Sequence, residues 1–175
     1  CYVSRIIPED AKKATAKKGF LDVVAANEGK WGNKIQITLN TVTKRKMQLV
    51  GKNGEAYIAK TVDGFREGDL VVAGEEYNRI KSIFDNSVVF EQEFNGEVVD
   101  TALIPTTVVY LVETDMSIRY GEDVENYVGL STNIANPNFF GYRLANSELV
   151  KVTAEVSDII GNPVEAKYGV TRAQL

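Results

Sequence analysis

Carboxylates are the side chains of this 175-residue chain best suited to chemistry, and they are densest at Glu75-Glu76, at Glu91 with Glu93, and at Glu122-Asp123 with Glu125. Paired acids serve glycoside hydrolysis, and clustered acids hold calcium. None of these runs has the spaced Asp-x-Asp-x-Asp-Gly pattern of an EF-hand. Glu91 and Glu93, two residues apart, are expected on one face of an exposed strand. A solvated acidic surface is therefore the expectation, with a hydrolase built on Glu91 and Glu93 kept as a rival. Histidine is absent, and Cys1 is the single cysteine. That removes the usual proton shuttle near neutral pH, any Ser-His or Cys-His nucleophile, and thiolate or imidazole zinc sites. A metal ion would have only oxygen ligands. We expect no catalytic residue, no cofactor and no metal site, and read the chain as not an enzyme.

Phosphate chemistry has as little support. Gly51-Lys52-Asn53-Gly54 is a hairpin turn without the following helix that a phosphate cradle needs. Lys44-Arg45-Lys46 has no interleaved aromatic residues for stacking on single strands. A formal net charge of -4 opposes a protein that neutralises phosphates, so nucleic acid is not expected as a partner.

The elements that position these residues come next. A hydrophobic fraction of 44% and a charged fraction of 25% are ordinary globular values, and the length suits one domain carrying a modest insertion. No apolar run reaches the ~18 residues a membrane span needs, so no membrane insertion is expected. The chain opens at Cys1 without Met, inside the strand-like run 2–7, and we expect a piece of a longer polypeptide synthesised in a cytoplasm. Residues 8–18 read as a lysine-rich connection or short helix whose Lys12, Lys13, Lys17 and Lys18 face solvent. Residues 20–26 form a candidate buried strand. Strict alternation over residues 34–40 predicts a strand with one wet face.

From 43 to 105 the texture changes to short β-like runs separated by turns. The Asn53-Gly54 pair, Gly74, Asp85-Asn86 and Asn95-Gly96 punctuate runs at 47–50, 56–59, 65–72, 77–83, 88–90 and 98–99, which suggests a small antiparallel barrel or sandwich. Beyond Pro105, residues 107–113 are β-branched and predict a strand, and 116–120 alternate as another. Asn136-Pro137 predicts a helix start, with Phe139, Phe140, Leu144 and Ala145 as its buried stripe. Residues 149–156 return to alternation, and 158–175 read as loop or a frayed end. The expected fold class is α+β. Residues 1–42 and 106–175 form an α/β sandwich, interrupted by an antiparallel β-barrel-like subdomain over 43–105.

One stretch is more specific. Asn27-Glu28-Gly29-Lys30-Trp31-Gly32-Asn33 concentrates the only Trp between glycines and side-chain amides, just before the alternating strand. The glycines open backbone angles closed to other residues. Trp31 can plug a core edge, and Asn27 and Asn33 can bond free backbone groups. This segment resembles the Asn-Pro-Gly-x-Trp-Gly-Asn signature of contractile tail sheath proteins, with Glu28 where that family often has Pro. Phe65-Arg66-Glu67-Gly68-Asp69-Leu70-Val71 is similar to the family's Phe-x-x-Gly-Asp-x-Val. Residues 116–120, followed by Val124-Glu125-Asn126-Tyr127 and Leu130-Ser131, resemble its strand and Phe/Tyr-x-x-Leu-Ser element. Residues 139–152 resemble its helix ending in Asn-Ser-x-x-Leu/Ile-Val.

What the resemblance implies is mechanical. A sheath-type subunit would polymerise with its own copies around a tail tube protein and contract to drive the tube through a cell envelope, in a virion tail or a related injection system. The chain would then be an outer portion of such a subunit, without the arm and assembly domain that link neighbours. Its structural motif would be Asn27, Gly29, Trp31, Gly32 and Asn33. The rival from a different class is a β-rich module binding carbohydrate or a cell-surface receptor, with Tyr77, Tyr110, Tyr120 and Tyr127 as stacking surface.

Overall fold

A computed structural model describes residues 11–18, 21–95, 107–152 and 170–174. The strand-like run 2–7, the turn and strand at 96–99, the end of the alternating run at 153–156 and most of the tail lie outside the described residues.

Alternation of apolar and polar side chains decides most of the elements. β1 (Thr15–Lys18) pairs antiparallel with β2 (Leu21–Ala25), whose residues alternate between buried and half-buried. A short 3-10 turn (Lys30–Lys34) leads into β3 (Gln36–Val42). The chain then builds β4 (Lys46–Asn53), β5 (Ala56–Ala59), β6 (Leu70–Ala73), β7 (Glu76–Phe84), β8 (Ser87–Phe90) and β9 (Val108–Leu111), which close into a barrel in the order β4-β5-β8-β7-β6-β9. β10 (Glu113–Tyr120), β11 (Asp123–Leu130), helix α1 (Phe140–Leu144), β12 (Val150–Val152) and β13 (Val170–Gln174) follow. They complete a four-stranded sheet, β11-β10-β3-β13, and a three-stranded one, β1-β2-β12.

The described residues are therefore mostly β, with a closed six-stranded antiparallel barrel and one small α-helix among them. The barrel interrupts a sheet. β3 and β10 are hydrogen-bonded neighbours from Val42↔Glu113 to Gln36↔Arg119, although the whole barrel lies between them in sequence. Two main cores result. Leu21, Val23 and Ala25 of β2 meet Ile37 and Leu39 of β3, Met116 and Ile118 of β10, and Phe140 and Leu144 of α1 between the open sheets. Met47, Leu49, Ile80, Val88, Val109 and Leu111 fill the barrel. Each such side chain taken fully from water contributes ~1.5–3 kcal/mol, before the entropy of ordering it is subtracted.

Several expectations need correction. The helix does not start at Asn136-Pro137. There the Asn136 carboxamide oxygen accepts the Asn138 N–H at 2.9 Å and its carbonyl accepts the Phe139 N–H at 2.9 Å, so a turn occupies 136–139 and only five residues are helical. Residues 15–18, expected in a connection or short helix, are a strand because β2 offers a free edge. The run 107–113 is not one strand. β9 ends at Leu111 in the barrel, and β10 starts at Glu113 in the open sheet. The range 43–105 thus contains five of the barrel's six strands, and β9 comes after it.

Candidate functional site: the seam between barrel and sheets

The turn before β6 is built from the Phe65–Val71 segment. Gly68 has φ +83, a left-handed angle that an L side chain adopts only at a cost. Asp69, fully buried, accepts the Arg66 N–H at 2.9 Å on one carboxylate oxygen and so closes the turn. Its other oxygen accepts the Asn133 carboxamide N–H at 2.7 Å. Asn133 sits in the loop after β11, and the same carboxamide nitrogen donates to the Glu67 carbonyl at 2.8 Å. Its oxygen accepts the Ala135 N–H at 2.9 Å, so the loop that presents Asn133 is itself held.

Arg79 of β7 completes the seam. One guanidinium nitrogen donates to the Gly68 carbonyl at 2.6 Å, and another to the Thr132 hydroxyl at 3.1 Å. Arg79, Thr132, Asn133 and Asp69 are all buried, so the barrel is joined to the open sheets through a dry polar contact. Burial pushes the Asp69 carboxyl above the ordinary carboxylate range. Hydrogen bonds from Asn133, the Arg66 backbone and Asn136, with the Arg66 charge, pull the other way without cancelling it. Buried networks of this kind strengthen one arrangement and penalise others, since each broken bond leaves a dry polar group behind.

A second polar staple joins the two open sheets. Glu125 of β11 accepts the Tyr127 hydroxyl at 2.8 Å and the Ser147 hydroxyl at 2.6 Å on one oxygen. The other oxygen accepts the Glu148 N–H at 2.9 Å and the Leu149 N–H at 3.3 Å, just before β12. Burial alone would raise this carboxyl, but the four hydrogen bonds outweigh it and hold Glu125 below the usual range.

The tryptophan corner is structural in its contacts. Gly29, at φ 124, bends the chain into the 3-10 turn. Trp31 donates its indole N–H to the Glu28 carbonyl at 3.1 Å and meets the Tyr120 ring edge-on at 5.3 Å between centroids. Buried Gly32 lies where a Cβ would fall 2.9 Å from the Ala14 Cβ and 3.0 Å from the Ala25 Cβ. Asn27 and Asn33 are exposed and make no side-chain hydrogen bond among the described residues, contrary to the expectation for them.

The residues of the rival readings are scattered. Glu91 and Glu93 follow β8 rather than share a strand face, and with Glu55 they line a cleft of about 220 Å³. Glu93 is tied to Lys52 at 3.0 Å. Among the described residues no three carboxylates gather closely enough to hold a metal ion. Tyr120 and Tyr127 pack against the core between the open sheets. Tyr110 and Tyr77 are both register partners of Val72 in the barrel wall.

In the sequence Asp69 stands out only as part of the Phe65–Val71 segment similar to Phe-x-x-Gly-Asp-x-Val. Asn133, Thr132 and Arg79 were missed, although the Ser131-Thr132-Asn133 run of backbone-bonding residues was a signal of local structure. Nothing in that run indicated a partner 64 residues away. Set beside known proteins, the chain matches no family model, no curated protein and no solved structure.

Proposed function

We propose that this chain is an outer portion of a contractile-sheath-type subunit, a mechanical building block that works by stacking with its own copies around a tail tube. The observation that carries this reading is the β3–β10 pairing across the inserted barrel, which joins the two halves as the resemblance requires. The resemblance segments also fall at mechanical positions. Phe-x-x-Gly-Asp-x-Val forms the barrel seam, and the Trp-Gly corner sits close against Ala14, just before β1, and Ala25 of β2. A subunit that transmits force benefits from a barrel held rigidly to its base, and the buried seam supplies that hold.

The test is electron microscopy of the full-length protein, alone and with its tube partner. Striated tubes or rings support the proposal. A monomer at high concentration with the tube partner present refutes it. A second reading, a carbohydrate-binding barrel, has one observation in its favour. The row Tyr110–Val72–Tyr77 runs across β9, β6 and β7, with Tyr110 37% exposed. A glycan array showing saturable binding that is lost on Tyr110→Ala would favour it over assembly.

A further inference from the structure

One edge of the larger open sheet is unpaired. β11 ends the order β11-β10-β3-β13, and among the described residues no strand lies on its outer side. The hairpin that makes β11 fixes which groups that side presents. The two-residue turn Gly121-Glu122 makes Tyr120↔Asp123 a pair that exchanges backbone hydrogen bonds, and such pairs recur at every second residue, at Ile118↔Glu125 and Met116↔Tyr127. Val124 and Asn126, between them, turn their N–H and C=O groups away from β10. Gly129 donates its N–H back to the Asp115 carboxylate at 2.8 Å, so Val128 continues the alternation.

The same period of two places the side chains. Val124, Asn126 and Val128 stand on the outer face of the sheet, where the two valines are 39% and 59% exposed. The rest of that face is polar, with Ser117 and Arg119 of β10 beside Thr38 and Gln36 of β3. On the inner side an open cleft of about 240 Å³ runs along the strand between Asp123 and Glu125 and the loop residues Glu148 and Leu149, so the chain's own described residues leave the edge uncapped.

An edge with unspent backbone groups and two bare valines is a template for another strand, and β11 is complementary to itself. Val124 and Val128 are each two residues from Asn126. Antiparallel pairing with β11 of a second copy, centred on Asn126, sets each Val124 beside Val128 of the other copy. Positions 124, 126 and 128 all turn outward, so all three pairs can exchange backbone bonds. Glu125 then faces Tyr127 and Asp123 faces Gly129, so no two acids stand opposite each other. Sliding the register by two residues in one direction would oppose Glu125 to itself, and sliding in either direction would part the valines. We infer that β11 pairs with β11 of a second copy about a twofold axis at Asn126, joining two four-stranded sheets into one.

This goes beyond the assembly reading and does not rest on it, because a patch that meets itself closes at two copies. One eight-residue strand from each copy is less than the ~1,200–2,000 Å² of a standard interface, so the dimer is weak and concentration-dependent. Asp123, Glu125 and Glu148 of both copies gather acidic charge along the joined edge, so added salt strengthens the contact.

The test is sedimentation velocity of the 175-residue chain from about 10 μM to about 1 mM. The wild type is expected to pass from monomer to dimer across that range. Asn126→Pro removes the outward N–H at the axis and keeps the bonds to β10, since proline is tolerated where an edge strand's N–H faces away from its sheet. It should weaken the dimer tenfold or more. Val124→Lys with Val128→Lys should do the same, because like charges then face each other. Val124→Lys with Val128→Glu should restore the dimer, because each lysine then faces a glutamate of the second copy. All three positions are exposed, and circular dichroism checks that each variant folds.

A wild type that stays monomeric throughout overturns the inference. So does a dimer that survives Asn126→Pro, or a lysine–glutamate variant that stays as weak as the lysine–lysine one. Tubes built by protein whose β11 variants show no effect on a dimer would refute this contact and leave the sheath reading standing. A dimer with the expected variant pattern and no tubes would do the reverse.

Discussion

Replacing Gly68 by Ala tests the seam most sharply, because two separate costs meet at one atom. The residue sits at φ +83, where an added Cβ costs ~1–2 kcal/mol in backbone strain alone. That Cβ would also fall 2.8 Å from the Asn133 side-chain oxygen and 3.1 Å from its Cγ. Asn133 would have to move, and it cannot move without giving up its bonds to the Glu67 carbonyl and the Asp69 carboxylate. Leaving such dry partners unmet costs ~1–3 kcal/mol. The total is ~2–5 kcal/mol, a large part of the ~5–15 kcal/mol that holds a domain folded. Gly54 is the internal control. Its φ is +61, but a Cβ there meets nothing within 4 Å, so Gly54→Ala carries only the strain. Urea unfolding of the two variants at one pH measures the difference, expected at ~1–3 kcal/mol more for Gly68→Ala. In an Asn133→Ala background that excess should vanish, since the clash and the broken bonds are already gone. If both glycine variants lose the same stability, the seam argument is refuted.

Further predictions concern the two carboxyls and the corner. Asp69 has a raised folded-state pKa, so its contribution to stability falls as pH rises through that value. The stability of wild type minus that of Asp69→Asn should therefore decline from pH 4 upward in a denaturant series. Glu125 has a lowered one, so its contribution is present above the unfolded pKa and lost as pH falls through the folded value. The wild-type advantage over Glu125→Gln should disappear on acidification, opposite in sign to Asp69. Gly32→Ala should lose ~1–3 kcal/mol in thermal unfolding, because the Ala14 and Ala25 methyls bracket the site at 2.9 and 3.0 Å. Trp31→Phe should lose ~1 kcal/mol, mainly the indole bond to the Glu28 carbonyl; no loss would mean that the bond adds nothing in water.

Local pattern made the barrel hairpins legible. Asn53-Gly54 sits at the β4–β5 turn with Gly54 at φ +61, and Asp85 turns β7 into β8 at φ 50. Period two marked β3 for the same reason, since its wet and dry faces differ. The switch at Val112 was illegible. A continuous β-branched run fits one long strand, and only the competing claims of β4 and β6 on one side and β3 on the other divide it. The seam was illegible for a related cause. A turn aspartate and a loop asparagine look solvated until a partner distant in sequence buries both, and propensity carries no information about distant partners. The helix shrank because Asn136 spends its side chain on a turn rather than on a helix N-terminus.

The central claim is that this fold is a framework for stacking copies of itself. Electron microscopy of the protein mixed with the tail tube protein that the proposal requires tests it most directly. The account predicts striated tubes or stacked rings. Dispersed monomers under those conditions would contradict it.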